Sequence, residues 1–135
     1  MKLNRRNFIS ASAGIAATIS SPMVFGASRP KVVVIGGGAG GATAARYIAK
    51  DSKGAIDVTL VEPTRSYYTC FFSNLYLGGF RDFDSIGHSY GKLASDYGIN
   101  VVHDWAVDVD SSGKTVSLAG GGTVNYDKLI ISPGI

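Results

Sequence analysis

Lys31-Val32-Val33-Val34-Ile35 runs directly into Gly36-Gly37-Gly38-Ala39-Gly40-Gly41, and this junction limits what the chain can fold into more than any other feature. An unbroken β-branched run, with no alternation of polar and apolar residues, predicts a strand covered on both faces. Past the glycines, Gly41, Ala44, Ala45 and Ile48 recur at i, i+3, i+4 and i+7, which predicts one apolar helix face, with the helix reaching about Lys50. Ser52-Lys53-Gly54 then turns the chain into a second run, Ile56–Val61. Strand, helix and strand in this order form a βαβ unit, so the fold class is α/β with a parallel, Rossmann-like sheet.

Gly36, Gly38 and Gly41 stand in the G-x-G-x-x-G register. The first allows a tight strand-to-helix turn, the second lets a pyrophosphate approach the backbone, and the third lets the helix pack closely on the strand. The start of the helix then offers free N–H groups and a partial positive charge to the phosphates. Glu62, the only glutamate in the chain, follows the second strand, 21 residues after Gly41. A carboxylate there accepts the hydroxyl hydrogens of an adenosine ribose and repels a 2′-phosphate. The candidate dinucleotide-binding set is therefore Gly36, Gly38, Ala39, Gly40, Gly41, Glu62 and the adjoining Pro63. These residues alone leave NAD and FAD both open.

Net charge first points elsewhere. Thirteen basic residues against ten acidic ones give +3, a value that invites a nucleic-acid reading. Lys2, Arg5 and Arg6, however, precede an uncharged stretch from Ile9 to Ala27. Asn4-Arg5-Arg6-Asn7-Phe8-Ile9 resembles a twin-arginine export motif, which implies periplasmic localisation of a protein folded before export. Ser20, Ser21 and Pro22 interrupt the apolar stretch, which argues against a stable membrane span. The expected domains are a signal at 1–26, cleaved after Gly26 or Ala27, and a cofactor domain at 27–135. Without Lys2, Arg5 and Arg6, ten basic residues face ten acidic ones, so no basic stripe remains for nucleic acid. One Cys excludes an internal disulfide framework, and His88 and His103 are not spaced as metal ligands.

Short strands are predicted at Ile99–His103, Ala106–Val109, Lys114–Leu118 and Thr123–Tyr126. Hairpin turns at Asp110-Ser111-Ser112-Gly113 and Ala119-Gly120-Gly121-Gly122 join the last three. A helix is predicted over Asp84–Tyr97, where Ile86, Tyr90, Leu93 and Tyr97 recur at roughly helical spacing. The small antiparallel meander resembles the insertion in flavoproteins of the glutathione-reductase type. The closing Tyr126–Gly134 resembles their second FAD motif, with Ser-Pro-Gly in place of Ala-Thr-Gly. That likeness implies FAD rather than NAD. It adds Pro133 and Gly134 to the site and implies that Ala106 and Val107 present backbone to the adenine.

Cys70 lies among four aromatics in Tyr67-Tyr68-Thr69-Cys70-Phe71-Phe72. Taken alone it is a small buried hydrophobe, half of a redox pair, or a cofactor attachment point. The order Glu-Pro, Tyr-Tyr-Thr-Cys, Ser-Asn, Gly-Gly resembles the flavoprotein subunit of flavocytochrome c sulfide dehydrogenases, a likeness that extends over about Lys31 to Ile135. It implies a thioether from Cys70 to the flavin 8α carbon, sulfide as substrate and a separate c-type cytochrome subunit as partner. Tyr67, Tyr68, Phe71 and Phe72 then either wall the flavin or pack in the core. By the same resemblance the chain is the front of a longer flavoprotein, with no catalytic residue in this segment and no activity expected of it alone. A sulfide:quinone oxidoreductase and a non-catalytic FAD module are the competing readings.

Overall fold

The computed structural model describes residues 28–134; the predicted export signal, its cleavage points and Ile135 lie outside the described residues. Strand β1 (Lys31–Ile35) leads into helix α1 (Ala39–Ser52) and strand β2 (Asp57–Val61). Strand β5 (Asn100–Val102) and strand β9 (Lys128–Ile131) complete a four-stranded parallel sheet in the order β5-β2-β1-β9. Helix α1 begins and ends where the pattern puts it, within two residues. Gly38 caps its start, and Lys53 and Gly54, both in the left-handed region, end it.

Both faces of β1 are covered, which explains its unbroken apolar run. Val32 and Val34 pack with Val58 and Leu60 of β2 against Ala45 and Ala49 of α1, together with Tyr90 and Ile99. Val33 and Val61 point the other way, onto Val116. Val116 belongs to the meander of β6 (Ala106–Asp110), β7 (Thr115–Leu118) and β8 (Thr123–Asn125), which is antiparallel throughout. The meander thus covers the second sheet face, where a second layer of helices would lie in a doubly wound fold. Asp110 caps its first turn, Oδ1 accepting the N–H groups of Ser112 and Gly113 at 2.9 Å each.

The segment Asp84–Tyr97 departs from the expected single helix. A 3₁₀ turn (Phe83–Ile86) gives way to strand β4 (Gly87–Ser89) and only then to helix α3 (Gly91–Tyr97). Strand β4 pairs antiparallel with β3 (Ser66–Tyr68), and the short helix α2 (Ser73–Leu77) lies between them in sequence. Ile86 and Tyr90 are both buried, but from a turn and from a helix cap. Their spacing of four imitates one helix face. Gly87 permits this pairing, because a Cβ there would stand 3.0 Å from the ring of Tyr68, its partner across the ladder.

Burial decides the energetics. Leu60 is fully enclosed, whereas Leu77 is 81% exposed. Leu60→Ala is expected to cost about 2–5 kcal/mol, and Leu77→Ala to stay within about 0.5 kcal/mol, in denaturant melts of the full-length protein.

Candidate cofactor-binding site

The strands of the parallel sheet end in register: Ile35 lies beside Val61 and Ile131, and Val61 beside Val102. Three backbone bonds carry the ladder one residue further. Gly36 N–H donates to the Val61 carbonyl at 2.9 Å, Glu62 N–H to Val102 at 2.9 Å, and Ser132 N–H to Ile35 at 2.8 Å. Gly36, Glu62, Ser132 and His103 therefore form a row along the carboxyl edge, where open α/β sheets bind ligands.

Glycine is needed in the row and just behind it for steric reasons. Gly36 has φ +99°, and a Cβ on it would collide with the Ser132 carbonyl. A Cβ on Gly41 would collide with the Gly36 carbonyl, so the helix starts hard against the strand end, as the motif predicts. Gly38 differs from both. A side chain there would meet only the edge of the Tyr67 ring, 3.8 Å away, so the space beside its backbone stays open. It caps α1 without a side-chain acceptor, and no acidic residue stands in the first turn. The free N–H groups of that turn are left for an anion.

Glu62 is held by the loop it faces. Its Oε2 accepts the Gly37 N–H at 2.7 Å, and its Oε1 accepts both the Thr64 N–H at 3.0 Å and the Thr64 hydroxyl at 2.7 Å. Partial burial works to raise its pKa. The Thr64 hydroxyl, the Gly37 and Thr64 amides and nearby His103 outweigh that effect and hold the carboxyl below the ordinary 4.5. His103 Nδ1 lies 3.1 Å from the Glu62 carbonyl oxygen. A carbonyl only accepts, so Nδ1 carries the hydrogen and His103 ties its strand end to the Glu62 backbone.

Two clefts share Glu62, Thr64 and Pro133 as a common wall. The smaller, about 250 Å³, lies between Gly36, Pro63, Trp105 and Ala106. The larger, about 580 Å³, runs past Gly38, Ala39 and Gly40 to Tyr67, Tyr68 and Cys70, and Gly134 lines it too. Eleven of the twelve predicted site residues thus meet along one path or pack directly behind it. Val107 stands apart: it sits at a β-bulge next to Ala106 and is largely exposed. The aromatics divide. Tyr67 and Tyr68 face the larger cleft, while Phe71 and Phe72 line a separate cavity with Thr69, Arg81 and His88. Tyr67 is half-buried and packs against the core, whereas Tyr68, Phe71 and Phe72 are exposed.

Cys70 is an exposed free thiol, not an enclosed hydrophobe. A tight loop holds it: Ser73 donates its amide (3.2 Å) and hydroxyl (2.8 Å) to the Cys70 carbonyl, and Thr69 N–H donates to Ile86. Phe72, at φ +66°, bends the chain sharply behind it.

Sequence reasoning missed Thr64, Gly37, Ser132, Tyr90 and Trp105. Only Thr64 had a visible signal, a hydroxyl two residues beyond a carboxylate. Tyr90 donates to the Gly37 carbonyl at 3.0 Å from a buried position 53 residues away in sequence. Among the described residues no group of three or more His, Cys, Asp or Glu is placed to hold a metal ion, and no helix is long and apolar enough to cross a membrane.

Residues 30–135 match the pyridine nucleotide-disulphide oxidoreductase family. The chain belongs to that family. It is 54% identical over 44 residues to the flavoprotein chain of the flavocytochrome c sulfide dehydrogenase of Chlorobaculum thiosulfatiphilum, a stretch covering 33% of this chain and 90% of that one. It is 32% identical over 105 residues to the sulfide-quinone reductase of Aquifex aeolicus strain VF5, covering 76% of this chain and 24% of that one. The solved sulfide:quinone oxidoreductase from Aquifex aeolicus superposes with a TM-score of 0.69 at 28% identity, over 78% of this chain and 24% of that one. The chain thus spans about a quarter of the Aquifex reductase. Membership of that family implies FAD as the cofactor of this cleft. The open glycine loop, uncapped helix start and fixed Glu62 carboxylate fit that cofactor.

The depressed Glu62 pKa has a sign. Its stabilising contribution is complete above the ordinary value of 4.5 and is lost as pH falls through the lower folded value. Between about pH 6 and pH 3, the melting temperature of the wild type is expected to fall more steeply than that of Glu62→Gln, whose amide does not titrate.

Proposed function

We propose that this chain is the FAD-binding part of an exported sulfide-oxidising flavoprotein that holds its flavin through a thioether at Cys70 and passes electrons to a c-type cytochrome. The observation that carries this reading is the exposed Cys70 thiol in the same cleft as the glycine loop and Glu62. The relative at 54% identity is named as the flavoprotein chain of a flavocytochrome c, which supports both the substrate and the partner. The arginine pair at Arg5-Arg6 supports export by the twin-arginine route to the periplasm.

FAD, when bound, supplies two-electron acceptance and stepwise electron release. The residues of this chain do the rest. Gly38, Ala39 and Gly40 present backbone to the pyrophosphate. Glu62, preset by Gly37 and Thr64, keeps lone pairs free for the ribose hydroxyls. Trp105 and Ala106 bound the smaller cleft, which suits an adenine. Tyr67 and Tyr68 flank the far end, and the Cys70 loop aims the thiol there. Residues that activate sulfide belong to the longer protein.

A second reading has its own support. The 32% identity over 105 residues is to a sulfide-quinone reductase, which makes a quinone the alternative electron acceptor.

Mass spectrometry of the denatured full-length protein is expected to find an FAD adduct on the peptide containing Cys70, and Cys70→Ala to release all its flavin in acid. Quantitative release from the wild type would refute the thioether. Sulfide is expected to bleach the flavin, with re-oxidation by cytochrome c. Re-oxidation by a quinone alone would select the second reading, and no bleaching would leave an FAD module without this activity.

A further inference from the structure

We infer that Tyr90 is a positioning residue for the cofactor: it clamps the Gly37 peptide so that the glycine loop addresses the FAD pyrophosphate, and its ring is the reason position 37 must be glycine. The motif leaves that position free, yet here a Cβ at Gly37 would stand 2.6 Å from the Tyr90 hydroxyl and 2.7 Å from its ring carbons. The obstacle is the ring, not the backbone, because the φ of Gly37 lies outside the left-handed region that favours glycine.

Both sides of the Gly37 residue are held. Its N–H donates to Glu62 Oε2 at 2.7 Å, and its carbonyl accepts from Tyr90 at 3.0 Å. With both groups tied, the peptide planes on either side cannot rotate, and the next residue, Gly38, keeps its open face to the cleft. The clamp itself is rigid. Tyr90 caps helix α3, its own carbonyl accepts from Leu93 (2.9 Å) and Ala94 (3.3 Å), and its side chain is buried in the core cluster on the α1 face of the sheet. Burial, then the Glu62 charge, raises the phenol pKa above its ordinary 10.0, so it stays a donor throughout the physiological range. Gly37 thus ties the loop to Glu62 through its N–H, and Tyr90 fixes the carbonyl on the other side.

This inference rests on FAD as the ligand of the cleft. It is tested in the full-length chain carrying Cys70→Ala, where flavin binds reversibly. Adding Tyr90→Phe keeps the ring and removes the donor. FAD and ADP are each expected to bind about tenfold more weakly, as for a buried carbonyl left without its partner. Adenosine, which carries no pyrophosphate, is expected to bind as before, and a purely structural role would not separate the two ligands. Unchanged ADP affinity, or equal losses for ADP and adenosine, would overturn the inference alone. A parent protein that binds neither FAD nor ADP would overturn the cofactor assignment with it. For the steric half, Gly37→Ala is expected to weaken FAD binding sharply with Tyr90 present and little in a Tyr90→Ala background. Equal losses in the two backgrounds would refute it.

Discussion

The glycine loop and Glu62 hang on the backbone ladder at the carboxyl end of the parallel sheet. Three hydrogen bonds extend it one residue past the strands, and they set Gly36, Glu62 and Ser132 side by side. A parallel sheet has all its strand ends of one kind on one edge, so residues distant in sequence arrive there in register. The three come from positions 36, 62 and 132. Had the register slipped by one residue, side chains now facing the helix layer would face the meander, and the core would be lost. The same hydrophobic pattern that secures the fold therefore also places Glu62 beside the glycine loop.

The sheet keeps that register because its two faces are covered by different means. Small residues of α1 (Gly41, Ala45, Ala49) allow close approach on one face, and the meander supplies Val116 and its neighbours on the other. The meander does more than cover: its first strand begins at Ala106, which lines the smaller cleft beside Trp105. A structural insertion thus becomes one wall of the site. Burial does the same for Tyr90, which is a core residue by its ring and a loop contact by its hydroxyl.

The loop of Cys70 follows another logic. It is built from short elements, β3, β4 and α2, and few of its large apolar side chains are enclosed. Phe71, Phe72, Leu77 and Phe80 are all 60% exposed or more. Backbone contacts from Ser73 and Thr69, not packing, hold the thiol where it is.

Local chemistry made the βαβ unit, the glycine register, Glu62 and the meander readable from the residues alone. A β-branched run, a glycine turn and an i, i+3, i+4 pattern each have one low-energy solution, within a residue or two. The segment 84–97 was not readable, because Ile86 and Tyr90 imitate a helical repeat while belonging to different elements. The sides taken by the four aromatics, the exposure of Cys70 and the clamp on Gly37 were not readable either. Each depends on which element lies opposite, and strand pairing between β3 and β4 and the burial of Tyr90 in the core cluster decide that. Sequence alone determined that a glycine turn in the G-x-G-x-x-G register and a carboxylate after the second strand are present. Only the tertiary structure decided how rigidly they are joined, because the groups that join them are far apart in the chain and meet only when the sheet edge forms.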